Sequence, residues 1–345
     1  MENLAMAEPM SGGETHAGTD IPSVDSEVRR HLFIQGGLAV ALTAAVLAVI
    51  MAQHPGNLGT WAGLSAAATG LWQSSIRSGY ALIVRIAGAF LLASILFGGA
   101  HALWRLRGPI QPKRLTWRQF RHELLFSSIW LWSAAVTATI GALAAQAGWL
   151  KLYTDFDAYG AGYFALCLVV MVVLYDAYFY TVHRALHWGP LWKYIHSVHH
   201  ITTNPNPLTQ FQLSPIEQLV TIVFLIGLGS ILPLHPMAWV VFSFLAIARS
   251  AIGHSNYEFF PKAMTDSRRF SWIAVGTHHN LHHRDYVFNY AVFLTVWDKL
   301  FGTLHPQYEA IVRELPHVER RRWRPARMRE AAAGPADEDR LGRPR

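Results

Sequence analysis

The segment Gly276–Tyr290, GTHHNLHHRDYVFNY, sets His278, His279, His282 and His283 within six positions. Imidazoles are costly to crowd, because a neutral ring needs hydrogen-bond partners and protonated rings repel one another. A metal ion relieves both problems by taking the lone pairs of several neutral rings at once. The pattern recurs upstream. HRALH at 183–187 puts His183 and His187 at i, i+4, so both rings leave one face of a helix. WGP at 188–190 then breaks the chain, Pro190 suiting a new first turn. HSVHH at 196–200 brings His196, His199 and His200 to one face of a second helix, which TTNPNP at 202–207 ends. His254 stands alone in IGHSNYEFF. The chain has 18 histidines, and eleven lie between 183 and 283. The three clusters and His254 supply about nine ligands where one zinc ion needs three or four, which suggests two metals. Imidazole suits zinc, copper, iron and nickel alike, so the ligands alone do not choose the ion. His278 is a further candidate. His235, between Pro233 and Pro236, reads as part of a hairpin tip. His16, His31, His54, His101, His122, His305 and His317 read as surface or interfacial residues.

The elements that must position these rings are apolar. The composition is 52% hydrophobic and only 15% charged. Residues 32–53, 79–103 (interrupted by Arg85), 124–150 and 161–182 form long apolar runs, with shorter ones at 217–234 and 237–252 joined by PLHP. About twenty apolar residues cross a bilayer as a helix, so the expected fold is all-α: a multi-pass integral membrane helical bundle. Arg29 and Arg30 precede the first run, and the next loop holds only Arg77. The loop after that carries Arg105, Arg107, Lys113, Arg114, Arg118 and Arg121. Lys151 follows the third run beside Asp155 and Asp157. This alternation places the N-terminus, the 104–121 loop and everything after residue 182, with the histidines, on the cytoplasmic side.

Asp176 sits in an apolar run, where an ionisable residue is a functional candidate by default. It lies two turns before His183, with Tyr180 on the same stripe, and is expected to accept a hydrogen bond from a ligand imidazole and fix its tautomer. Arg85 has no identified partner. Residues 1–30 lack apolar periodicity and read as a disordered tail, and 316–345 as a basic tail whose ERRRWRPARMRE either is solvated or rests on anionic headgroups. The first run lacks the basic leader of a signal peptide. The net charge of +7 is carried by loops and tail, and no nucleic-acid-binding fold accompanies it. The one cysteine, Cys167, excludes a disulfide framework and a thiolate cluster. No H-E-x-x-H occurs, which argues against a zinc protease. HPGN at 54–57 looks like a haem-binding motif without the domain that would surround it.

H-x-x-x-H at 183–187 and H-x-x-H-H at 196–200 and 279–283 resemble the three histidine boxes of the fatty acid hydroxylase/sterol desaturase superfamily. DAYFYTVHRALH, SPIE at 214–217 and WDKLFGT at 297–303 add to the likeness, which spans about residues 165–305. The resemblance implies a membrane di-iron oxygenase that uses dioxygen and two electrons to hydroxylate or desaturate a lipid C–H bond. It implies His183, His187, His196, His199, His200, His279, His282 and His283 as ligands to two irons, with His254 matching a further single histidine. Where some members have a second histidine four residues later, this chain has Glu258, a carboxylate able to ligate iron or orient an imidazole. Zinc is able to replace iron on overexpression. The electron donor must be separate (a cytochrome, ferredoxin or reductase), since no flavin, nicotinamide or iron–sulfur motif is present. The domain division that follows is a transmembrane region over 31–150 and a catalytic domain over 151–315. A metal transporter and a haem-b electron carrier are the competing classes.

Overall fold

The computed structural model describes residues 22–52, 109–112 and 115–315. The apolar run 79–103 with Arg85, the HPGN stretch, His16, His54, His101, His317 and the basic tail lie outside the described residues. Numbering the helices of five residues or more, α1 is Pro22–Ala52, α2 Trp117–Gln146, α3 Gly160–Leu186, α4 Pro215–Ile231, α5 Pro236–His254, α6 Gly276–Asp285, α7 Val296–Leu300 and α8 Tyr308–Glu314. Among the described residues β-structure is confined to isolated bridges.

Windows in α1, α2, α3 and α5 are long and apolar enough to cross a membrane, whereas α4, at 17 residues, is shorter. Phe33, Val40, Leu166 and Val169 stand exposed on α1 and α3, as side chains facing lipid would. The protein is an integral membrane protein.

α1 starts at Pro22, inside the stretch expected to be a disordered tail. The reason is tertiary: Val28 and Leu32 pack against Phe126 of α2 and Val198 beside the second histidine cluster. His31, expected at the surface, is instead fully buried there, its Nε2 3.2 Å from Ser197 Oγ. His305 is also buried, with Nε2 3.1 Å from Asp285 Oδ2.

Local chemistry sets the other helix ends. Thr116 caps α2 by accepting the Gln119 N–H at 3.1 Å. α4 opens on a capping box: Ser214 Oγ accepts the Ile216 N–H, and Glu217 Oε2 accepts the Ser214 N–H at 2.8 Å. His235 caps α5, its Nδ1 accepting the Met237 N–H at 3.1 Å, so the hairpin-tip residue has a structural task. α3 buries one stripe, Cys167, Met171, Asp176, Tyr180, His183 and Leu186, and is one continuous helix as expected from Asp176 to the first histidine pair. Its upper half packs with α4 and α5 around Met171, Leu228, Leu234 and Phe242. HSVHH departs from expectation. Residues 192–196 form a π-helical turn and 199–201 a 3-10 turn. Three rings on one helical face would serve one centre, and this irregular backbone aims them at two.

Candidate metal centre

The last turn of α3, the irregular segment 192–201, the end of α5 and the whole of α6 meet at one place. There the nine sequence-predicted histidines fall into two groups. His183, His187, His196, His200 and His282 form the first, and His199, His254, His279 and His283 the second. Within each group the candidate ligand nitrogens lie within 4.8 Å of one another, and every ring but His187 is buried.

Five rings have one nitrogen committed to the surrounding protein. His183 Nδ1–H donates to the Tyr290 carbonyl (2.7 Å), His254 Nδ1–H to Ser250 O (2.8 Å), His282 Nδ1–H to Phe288 O (2.7 Å) and His283 Nδ1–H to Thr202 O (2.9 Å). His196 Nδ1 pairs with Glu217 Oε1 at 2.7 Å and donates to it when Glu217 is a carboxylate, a form that burial disfavours by pushing the carboxyl up to about 8. Carbonyls only accept, so these contacts put the proton on Nδ1 and leave Nε2 with a lone pair. His183 Nε2 and His196 Nε2 then face each other at 3.0 Å, lone pair to lone pair, when Glu217 is a carboxylate. A cation between them turns that repulsion into ligation. His200 Nε2 is 3.2 Å from His196 Nε2 and 3.1 Å from His282 Nε2, while His254 Nε2 is 2.9 Å from His279 Nε2 and 3.2 Å from His199 Nε2. His187 Nε2 and His283 Nε2 are buried with no partner at all. Buried polar nitrogens are nearly always satisfied, so this donor set fits metal ions.

Electrostatics agree. Burial first, and then the charge of neighbouring rings, holds His196, His199, His200, His279, His282 and His283 well below the ordinary imidazole range. The same causes push His187 down to about 2. The rings are therefore neutral, which is the form that binds metal.

Three sequence expectations need correction. Asp176 does not accept from an imidazole. Oδ1 takes the backbone N–H groups of Val292 (3.0 Å) and Phe293 (2.7 Å), and Oδ2 takes Leu294 N–H (2.9 Å) and Trp297 Nε1–H (3.1 Å). A loop with so many free donors outcompetes one imidazole. Asp176 thus acts at one remove, pinning the segment whose Tyr290 carbonyl holds His183. Glu258 faces neither group: it receives Thr277 N–H and Oγ1–H and Phe260 N–H, anchoring the start of α6. His278, fully buried, lies outside both groups, its Nε2 3.1 Å from Asp298 Oδ2.

Two residues lacked a role in the sequence reading. Glu217 joins the α4 capping box to His196, so a signal was present in S-x-x-E before an apolar run. Asp298 accepts Tyr290 N–H, Ala291 N–H and Thr303 Oγ1–H, holding the same loop from its other side. It lies in the WDKLFGT motif, whose resemblance gave the residue no role of its own.

Beside the histidines lies a cavity of about 140 Å3. His183, His196, His199, His254 and His279 form one wall, and the rest is largely apolar, including Phe179, Leu213, Val220 and Phe293.

Known proteins resemble this chain over the same region. The fatty acid hydroxylase family model matches residues 168–303. The methylsterol monooxygenase erg25B of Aspergillus fumigatus is 36% identical over 146 residues, covering 39% of this chain and 47% of the relative. Human lathosterol oxidase (Homo sapiens) is 27% identical over 231 residues, 64% of this chain and 73% of the relative. The cholesterol 25-hydroxylase of Rattus norvegicus is 31% identical over 138 residues, 40% and 46% of the two chains. The chain spans about half the length of the first curated relatives it matches. No solved structure matches it at a significant level. Residues 168–303, which hold eight of the nine rings in the three boxes and His254 between them, carry the fatty acid hydroxylase domain of the fatty acid hydroxylase/sterol desaturase superfamily.

Proposed function

We propose that this protein is a membrane-bound di-iron oxidoreductase that hydroxylates or desaturates a C–H bond of a lipid. The observation that carries the reading is the pair of buried histidine groups forming one wall of an apolar cavity. Two irons in these groups would supply the activation of dioxygen, drawing two electrons from a separate donor such as a cytochrome, ferredoxin or reductase. Hydroxylation consumes one O2, two electrons and two protons and returns the alcohol and one water. Desaturation consumes the same and returns the alkene and two waters.

The chain's own residues bind, orient and exclude. His183, His187, His196, His200 and His282 hold one ion; His199, His254, His279 and His283 hold the other. Glu217 and the carbonyls of Tyr290, Ser250, Phe288 and Thr202 fix the rings, which spares the site reorganisation when it reacts. Phe179, Val220 and Phe293 keep water away and take the hydrocarbon. The named relatives act on sterols by their printed names, which supports a sterol-like or other isoprenoid lipid, with fatty acyl chains as the alternative. The arginine- and lysine-rich loops support a cytoplasmic active site. The domain division is proposed as a transmembrane region from the start of α1 to residue 150 and a catalytic domain over 151–315.

Anaerobically purified protein should carry close to two metals per chain, with activity restored by iron and not by the zinc that overexpression introduces. Host lipids should gain one oxygen or lose two hydrogens with the wild-type chain and not with His199→Ala. One metal per chain, unchanged by iron supplementation, would overturn the di-iron assignment.

A further inference from the structure

Arg249 lies on the cavity wall, on α5 five residues before His254, inside an apolar helix. It is 7% exposed. Its Nη2 reaches the Val275 carbonyl only at 3.5 Å, and its buried Nε and Nη1 have no partner. Two carboxylates, Asp176 and Glu258, are its opposite charges. Both spend their oxygens on other donors, Asp176 on the 292–297 loop and Glu258 on Thr277 and Phe260. The charge of the guanidinium is thus balanced at a distance while its Nε–H and Nη1–H groups stay unmet. A buried cation in an apolar segment with two donor nitrogens lacking an acceptor is placed for a ligand.

Its position says where that ligand's polar atom would sit. A Cβ built on Gly253 would lie 3.3 Å from Arg249 Nη1 and 3.1 Å from His279 Cβ. Gly253 thus adjoins both the guanidinium and a ring of the second histidine group.

We propose that Arg249 is a specificity-determining contact for a neutral oxygen, a hydroxyl or carbonyl, at the polar end of the lipid. This rests on the lipid-oxidation reading above and adds to it a position: the oxidised carbon lies within a few bonds of that oxygen, because the donor adjoins the metal groups. A neutral acceptor is favoured over a carboxylate because two carboxylates already balance the charge. The hydrocarbon then extends along the apolar wall past Tyr175 and Phe179.

The test uses the full-length, metal-loaded protein in nanodiscs and two probe pairs that differ only in the oxygen: cholestanol against cholestane, and octadecanol against octadecane. Retention is measured by mass spectrometry at equal bilayer mole fraction. A hydrogen bond from a charged donor corresponds to about a ten- to hundredfold preference, so wild type should favour the oxygenated member of at least one pair by that factor. Arg249→Met should bring the preference close to one while the hydrocarbon binds as in wild type, and Arg249→Lys should restore part of it. Metal content reports whether each variant is folded, and if Arg249→Met loses metal, the wild-type ratio and Arg249→Lys decide. Equal binding of both members by wild type, or an undiminished preference in a folded Arg249→Met or Arg249→Lys protein, overturns the assignment and leaves the lipid cavity standing. Wild-type protein that binds no member of either pair overturns both.

Discussion

Replacing Asp176 by Asn tests how the loop supports the metal groups. The carboxylate accepts two N–H groups on each oxygen: Val292 and Phe293 on Oδ1, Leu294 and Trp297 Nε1 on Oδ2. An amide keeps one oxygen, so its NH2 must face two donors whichever way it turns. Two hydrogen bonds to a charged acceptor are lost, each worth about 1.5–3 kcal/mol. The loop should therefore be destabilised by about 3–6 kcal/mol, a large share of the ~5–15 kcal/mol that holds a typical domain. Asp298 still grips Tyr290 N–H and Ala291 N–H, so the segment should open locally while the bundle stays folded. The Tyr290–Ala291 peptide, whose carbonyl orients His183, is then held from the Asp298 side alone, and iron retention or activity should fall about 10–100-fold. Hydrogen exchange by mass spectrometry on metal-loaded protein reads the first effect directly, as faster exchange of amides 292–294. Iron content and lipid turnover read the second. Asp176→Ala, which removes all four acceptor contacts, should be at least as severe. Wild-type exchange at 292–294 together with wild-type iron content would refute the account.

His199→Ala or His283→Ala should abolish turnover and lower metal content while the protein still inserts; equal damage from His235→Ala would refute the division of the histidines. His235→Ala removes a helix cap and should cost about 1 kcal/mol of thermal stability with metal content unchanged. Glu217→Gln keeps an acceptor for either His196 Nδ1–H or Ser214 N–H and sets a donor against the other. Metal titration should show about 10–100-fold weaker binding, and unchanged affinity would show that Glu217 serves the α4 cap alone. In the metal-free chain, burial holds His187, His196, His199, His200, His279, His282 and His283 below the ordinary value of 6.5. The unfolded chain then takes up protons first, so stability is full above about pH 6.5 and falls as pH drops below it, by about 1.4 kcal/mol per pH unit for each such ring. A denaturant midpoint that stays flat from pH 7 to 5 would contradict the burial of neutral rings.

The nine histidines, the run of apolar helices and the continuity of α3 from Asp176 to His183 were legible because they depend on spacing along the chain. Helical periodicity sets i, i+4 pairs on one face, and a bilayer demands length and apolarity, both local quantities. Only the tertiary structure divides the rings. His199 and His200 are neighbours in sequence yet belong to different groups, because a π-helical turn and a 3-10 turn rotate them apart. The partners of Asp176 were equally out of reach, since they are main-chain groups more than a hundred residues away, and every residue has an N–H to offer. The same holds for the burial of His31 beside Ser197 and for the isolation of Arg249 from both carboxylates. Residue type states which chemistry a side chain is able to do. Which partner it finds is a competition among distant donors and acceptors, and that competition is decided only when the helices pack.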